Sequence, residues 1–146
     1  GKKLCSADEW GAGCAGDANY WYPYGPGFSA GICNDPVAGA RAPVPAGSRG
    51  VCLSPTGTYD QSGNLAEWVQ DWDPDFDDNA LTGGGSYARE LCAEGADCYQ
   101  GDPEDPSDLD KFQDTLACLL SAQRMESFIR SEPRPYLGTR CCYKEE

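Results

Sequence analysis

The chain has 146 residues, enough for one domain with its own core, and sets 11 Lys and Arg against 24 Asp and Glu for a formal charge of −13. A surface this acidic repels phosphate backbones and anionic headgroups, so nucleic acid and membrane surfaces are poor partners, and cations or basic ligands are better ones. With 18 glycines and 11 prolines, regular structure is expected to be sparse and loops long.

The first element is the clearest. Ser6-Ala7-Asp8-Glu9 is a capping box, in which hydroxyl and carboxylate satisfy backbone donors at a helix start. It predicts a short helix from about Ala7 to Ala15, with Trp10 and Cys14 on one face. The stretch 19–31 sets aromatics between turn formers and reads as an ordered loop; Trp21, Tyr22 and Tyr24 are either a ligand surface or core packing. Residues 34–56 are rich in Pro, Gly and Ala, but Cys33 and Cys52 bracket them and would staple them down. A second helix is expected with Ser107 as its cap and Leu109, Phe112, Leu116 and Leu120 along one side. The ending, 136–143, reads as a closing strand. Two acidic runs, 71–79 and 101–110, are solvated loops or lend a carboxylate to a metal.

Nine cysteines stand at Cys5, Cys14, Cys33, Cys52, Cys92, Cys98, Cys118, Cys141 and Cys142, with no C-x-x-C pair and no histidine in the chain. That pattern argues against structural zinc and for disulfides made in an oxidising compartment, extracellular or periplasmic. The count is odd, so at least one thiol is free or has its partner on another chain. Cys92–Cys98 would close a small loop. No apolar run reaches the roughly 20 residues that span a bilayer, which argues against membrane insertion. The N-terminus has no apolar signal segment and begins abruptly, as if cut from something longer.

The run GTYDQSGNLAEW, 57–68, fits neither helix nor strand periodicity. Asp60 and Glu67 offer hard anionic oxygens, and Gly63 permits a turn that aims carbonyls inward. Calcium takes about six to eight such oxygens.

Five motifs, in order and spread over nearly the whole chain, resemble those of formylglycine-generating-enzyme-like domains, the sulfatase-modifying-factor family. They are GKKLCSADEW (1–10), WYPYG (21–25), GTYDQSGNLAEW, GGGSY (83–87) and LGTRCC (137–142). The resemblance implies one domain over 1–146, α+β with little regular structure, related to C-type lectins, stabilised by disulfides and often by calcium. Its calcium ligands would be Asp60, the carbonyls of Gly63 and Leu65, and Glu67. A second calcium site would start at Asn34, but the rest of that loop is shortened. A bridge from Cys14 to Cys118 mirrors one in the family, which leaves Cys5, Cys141 and Cys142, two of which are free to pair. The chain would be the C-terminal part of a longer domain. Its N-terminal half would then be a missing segment or a partner protein, and would carry a cysteine that pairs with Cys141.

The family's known activity is copper-dependent oxidation of a substrate cysteine to formylglycine, which relies on two thiols that bind Cu(I). At those positions this sequence has Arg89 and Glu94, with Cys92 and Cys98 displaced. Ser86 matches the family serine, but Ala66 stands for the pocket tryptophan and Thr82 for an arginine. In an iron-dependent branch of the family the histidine ligands come from another domain, so without histidine this chain cannot be the iron-binding part, and a Ser–His hydrolase has no basis. The sequence therefore reads as a non-catalytic recognition or assembly module, with a protein or, by analogy of fold, a carbohydrate as partner. The alternative is the copper oxidase acting on a sulfatase-type cysteine.

Overall fold

The computed structural model describes residues 1–72, 79–88, 90–92, 98–118, 126–129 and 134–143. The fold is α+β. Among the described residues, helices α1 (Ala7–Ala15) and α2 (Pro106–Thr115) accompany eight short strands: β1 (Lys2–Leu4), β2 (Ala66–Trp72), β3 (Asn79–Gly83), β4 (Glu90–Cys92), β5 (Cys98–Gln100), β6 (Glu126–Ile129), β7 (Leu137–Thr139) and β8 (Cys141–Tyr143). The central sheet has the order β6-β3-β2-β7, with β2 antiparallel to β3 and parallel to β7. Two ribbons stand beside it: β1 with β8, which joins the two ends of the chain, and β4 with β5.

The sequence predicts α1 well because its signals are local. The Glu9 amide donates to Ser6 Oγ at 3.2 Å, and the Ser6 amide donates to the Glu9 carboxylate at 2.8 Å. Lys3 pairs with the same carboxylate, and that hydrogen bond holds its pKa below the usual range, helped by the Ser6 amide. From β2, Asp71 accepts a further first-turn donor, the Ala7 amide, at 2.6 Å, adding an anion at the positive end of the helix. Gly16, at φ +59°, ends the helix; a Cβ there would stand 2.7 Å from the Pro55 side chain. Trp10, Cys14 and Ala15 turn inward and form the main core with Cys5, Val69, Leu81 and Cys118.

Three readings need correction. The cap of α2 is Asp105, whose carboxylate accepts from both the amide and the hydroxyl of Ser107, so Ser107 belongs to the first turn. Those bonds lower the Asp105 pKa. The helix ends at Thr115, with Leu116 as its C-cap; Leu120 lies outside the described residues. The closing strand is two strands, β7 and β8, interrupted at Arg140. The run 57–68 is irregular only as far as Leu65, since β2 starts at Ala66.

Among the described residues, three disulfides fasten the framework: Cys5–Cys142, Cys14–Cys118 and Cys33–Cys52. The first two close loops of 137 and 104 residues, the long closures for which restricting the unfolded chain contributes most, roughly 4–5 kcal/mol each on the chain-entropy model. Cys141 is free and exposed. In the aromatic loop, Tyr22 is buried, stacks on Tyr24 with ring centroids 5.6 Å apart and meets Phe28 edge-on, whereas Trp21 is exposed. Burial raises the Tyr24 pKa to about 12.

Candidate functional site

The segment 57–68 is the hub of the molecule. Asp60, Gly63 and Asn64 all lie at positive φ, +59°, +77° and +65°, so the chain doubles back on itself and sends successive side chains toward different elements. Gln61 donates to the Trp10 carbonyl in α1 at 3.0 Å, and Ser62 donates to the Leu116 carbonyl at the end of α2 at 2.8 Å. Asn64 holds the Pro/Gly segment: its side-chain oxygen accepts from the Asn34 side chain and the Val44 amide, and its own NH2 donates to the Val44 carbonyl. Its backbone amide donates to the Asn34 carbonyl at 2.9 Å, and the Gly63 amide donates to the Gly84 carbonyl at 2.6 Å. All four side chains, Asp60 included, are buried.

The two predicted anionic ligands, Asp60 and Glu67, line one open cavity of about 580 Å³ with Tyr59, Asn64, Leu65 and Arg140. Glu67 is the second residue of β2, where its register neighbours are Gly83 on β3 and Gly138 on β7. Neither neighbour has a side chain to cover the carboxylate, and Arg140 does so instead. Its Nε donates to Glu67 Oε2 at 2.7 Å and its Nη2 to Oε1 at 2.8 Å, a bidentate pair. The same Nη2 reaches the Tyr59 carbonyl at 2.7 Å, and the Trp10 indole donates to Glu67 Oε2 at 2.7 Å. Asp60 differs: Oδ2 accepts from the Gly47 amide at 2.7 Å, while the buried Oδ1 has no donor.

As a calcium shell this set fits poorly. Of a carboxylate's roughly four lone-pair sites, Glu67 uses three on chain donors, and its charge is matched by Arg140. Asp60 Oδ1, buried and without a donor, is the carboxylate oxygen of the pair that a cation could still use. The Asn34 site fits no better. Its amide donates to the Ala42 carbonyl and to Asn64, and its carbonyl accepts the Asn64 amide. Next to it, the Asp35 carboxylate organises the loop by accepting from the Gly31 and Ala38 amides.

The residues expected at a copper site divide between described and undescribed. Ser86 is buried, and its hydroxyl accepts from the Ala88 amide at 3.1 Å. Cys92 and Cys98 are opposite one another in the β4–β5 register; their side chains, and residues Arg89 and Glu94, lie outside what is described. Of the acidic runs, Asp71 and Asp105 each serve a helix start, and 73–78 lie outside the described residues. Sequence reasoning missed Arg140 and Trp10. The signal was present in Arg140, the one base among residues 137–143, next to the cysteines it precedes.

No model of a known protein family matches the chain, and no curated protein matches it.

Proposed function

We propose that the chain is a non-catalytic recognition or assembly module, exported to the cell exterior or periplasm, with a formylglycine-generating-enzyme-like and C-type-lectin-related fold. The order of its five motifs supports the fold, and its three disulfides suit an oxidising compartment. The observation that carries the reading is the cavity at Asp60, Glu67 and Arg140. Its carboxylate Glu67 is immobilised by three donors, and the hydroxyl of Thr58 on its wall donates to the Gln61 side chain, which supports a binding surface over a catalytic one. Tyr59, 40% exposed at that wall, gives a flat apolar face beside polar groups, the combination that a protein loop or a sugar ring uses. A partner protein, the N-terminal half of such a domain included, is the favoured ligand class. No helix among the described residues is long and apolar enough to cross a membrane.

The copper oxidase stays as a second reading because the backbone register of β4 and β5 pairs Cys92 with Cys98. One experiment divides the two. The protein is given Cu(I), oxygen and a cysteine-containing sulfatase-type peptide, and peptide and protein are read by mass spectrometry. The expected result is unchanged peptide and a Cys92–Cys98 disulfide. Formation of the aldehyde, with stoichiometric copper uptake that Cys92→Ser abolishes, would overturn the module reading.

A further inference from the structure

The buried anion at the start of β2 is matched by a cation that the chain itself supplies. Arg140 is the single residue between β7 and β8, and its position is fixed from both sides. On one side β7 runs parallel to β2 in the register that sets Thr139 against Trp68; on the other, Cys142 is bonded to Cys5, whose sulfur contacts the Arg140 carbonyl at 3.7 Å. The guanidinium then takes a carboxylate, Glu67, and a loop carbonyl, that of Tyr59. Those are the two ligand types by which a hard cation organises an acidic loop.

We propose that Arg140 is the resident cation of the 57–68 loop, so that the loop keeps its conformation without a divalent metal. Charge supports this assignment. Asp60 and Glu67 contribute −2 and Arg140 +1, leaving −1. A divalent ion added to this set would bring the cluster to +1 and place a second positive centre beside the guanidinium, in surroundings that screen charge less than water does. Displacing the guanidinium instead would leave a partly buried Arg140, with a side chain 24% exposed, without its carboxylate. A cation that is part of the chain also needs no free concentration to stay bound, so the loop is organised at any calcium level. The inference concerns how the hub is held, and stands or falls separately from the recognition reading.

The test is thermal unfolding of the intact, oxidised protein in EDTA and in millimolar CaCl2, with calorimetric titration of calcium alongside. Wild type is expected to melt at the same temperature in both, with no saturable calcium uptake. Arg140→Gln, which removes the charge and the bidentate fork, is expected to lower the melting temperature in EDTA by about 6 °C and to recover part of that loss in calcium. If Arg140→Gln does not fold, Arg140→Lys takes its place, with a smaller drop in EDTA expected because one charge remains without the fork. A wild type that loses melting temperature on chelation, or takes up one calcium ion in a manner that Glu67→Gln abolishes, overturns the proposal. So does a substituted protein, Gln or Lys, that melts like wild type in EDTA.

Discussion

At the scale of single residues, the structure turns on positions where no other side chain fits. Gly63 shows this most sharply. Its φ of +77° already disfavours a side chain, and a Cβ built there would lie 2.6 Å from the Asn34 carbonyl oxygen and 3.0 Å from the carbonyl carbon. Both atoms are backbone, so relief requires the Asn34 loop to move, and with it the hydrogen bond between the Asn64 amide and that carbonyl. Gly63→Ala is therefore expected to destabilise by about 2–4 kcal/mol, measured as a lower urea midpoint at unchanged m-value. An effect under about 1 kcal/mol would mean that the loop yields more easily than its packing implies. The need for a glycine at this turn was legible in the sequence. Asp60 and Glu67 were legible as a neighbouring acidic pair, but their different fates were not: one takes Arg140 from 73 residues away, the other keeps an open oxygen. Spacing along the chain carries no information about a contact that distant.

At the scale of elements, the sequence was most informative where the physics is local. The capping box sits within four residues, and the structure forms both of its hydrogen bonds. Replacing Ser6 by Ala is expected to cost about 1 kcal/mol, a fall of roughly 3–4 °C in melting temperature, because the Glu9 amide loses its acceptor at the helix start. An unchanged melting temperature would show that Asp71, acting from β2, satisfies the helix start alone. The α2 cap was misplaced by two residues for a related reason. Asp105 and Ser107 are both good caps, and Pro106 after Asp105 was the deciding signal, since proline suits the first helical turn, where its missing donor costs nothing. Strands were poorly legible. β2 starts inside a run whose glycines and acids read as loop, and β7 and β8 are three residues each, too short for an alternating pattern to show. Their register comes from tertiary contacts: the pairing of β7 with β2 and the bond from Cys142 to Cys5.

At the scale of the whole molecule, one irregular segment does the work that a larger sheet does in other folds. Among the described residues the strands and the two helices are short. The hub connects α1 through Gln61, the end of α2 through Ser62, the Pro/Gly segment through Asn64 and the C-terminal strands through Glu67. The disulfides join the same parts: Cys14–Cys118 ties α1 to the chain just beyond α2, and Cys5–Cys142 ties the two ends of the chain together. Covalent and hydrogen-bonded links thus reinforce one another around a loop that the composition alone would class as mobile. The most direct measurement is amide hydrogen exchange at Gly63 and Asn64, whose N–H groups donate to the Gly84 and Asn34 carbonyls, recorded in EDTA and again in calcium. The expected result is slow exchange at both amides, close to that of the β2 core and equal in the two conditions. Rapid exchange in EDTA that calcium suppresses would contradict it, and would return the organisation of the loop to a bound ion.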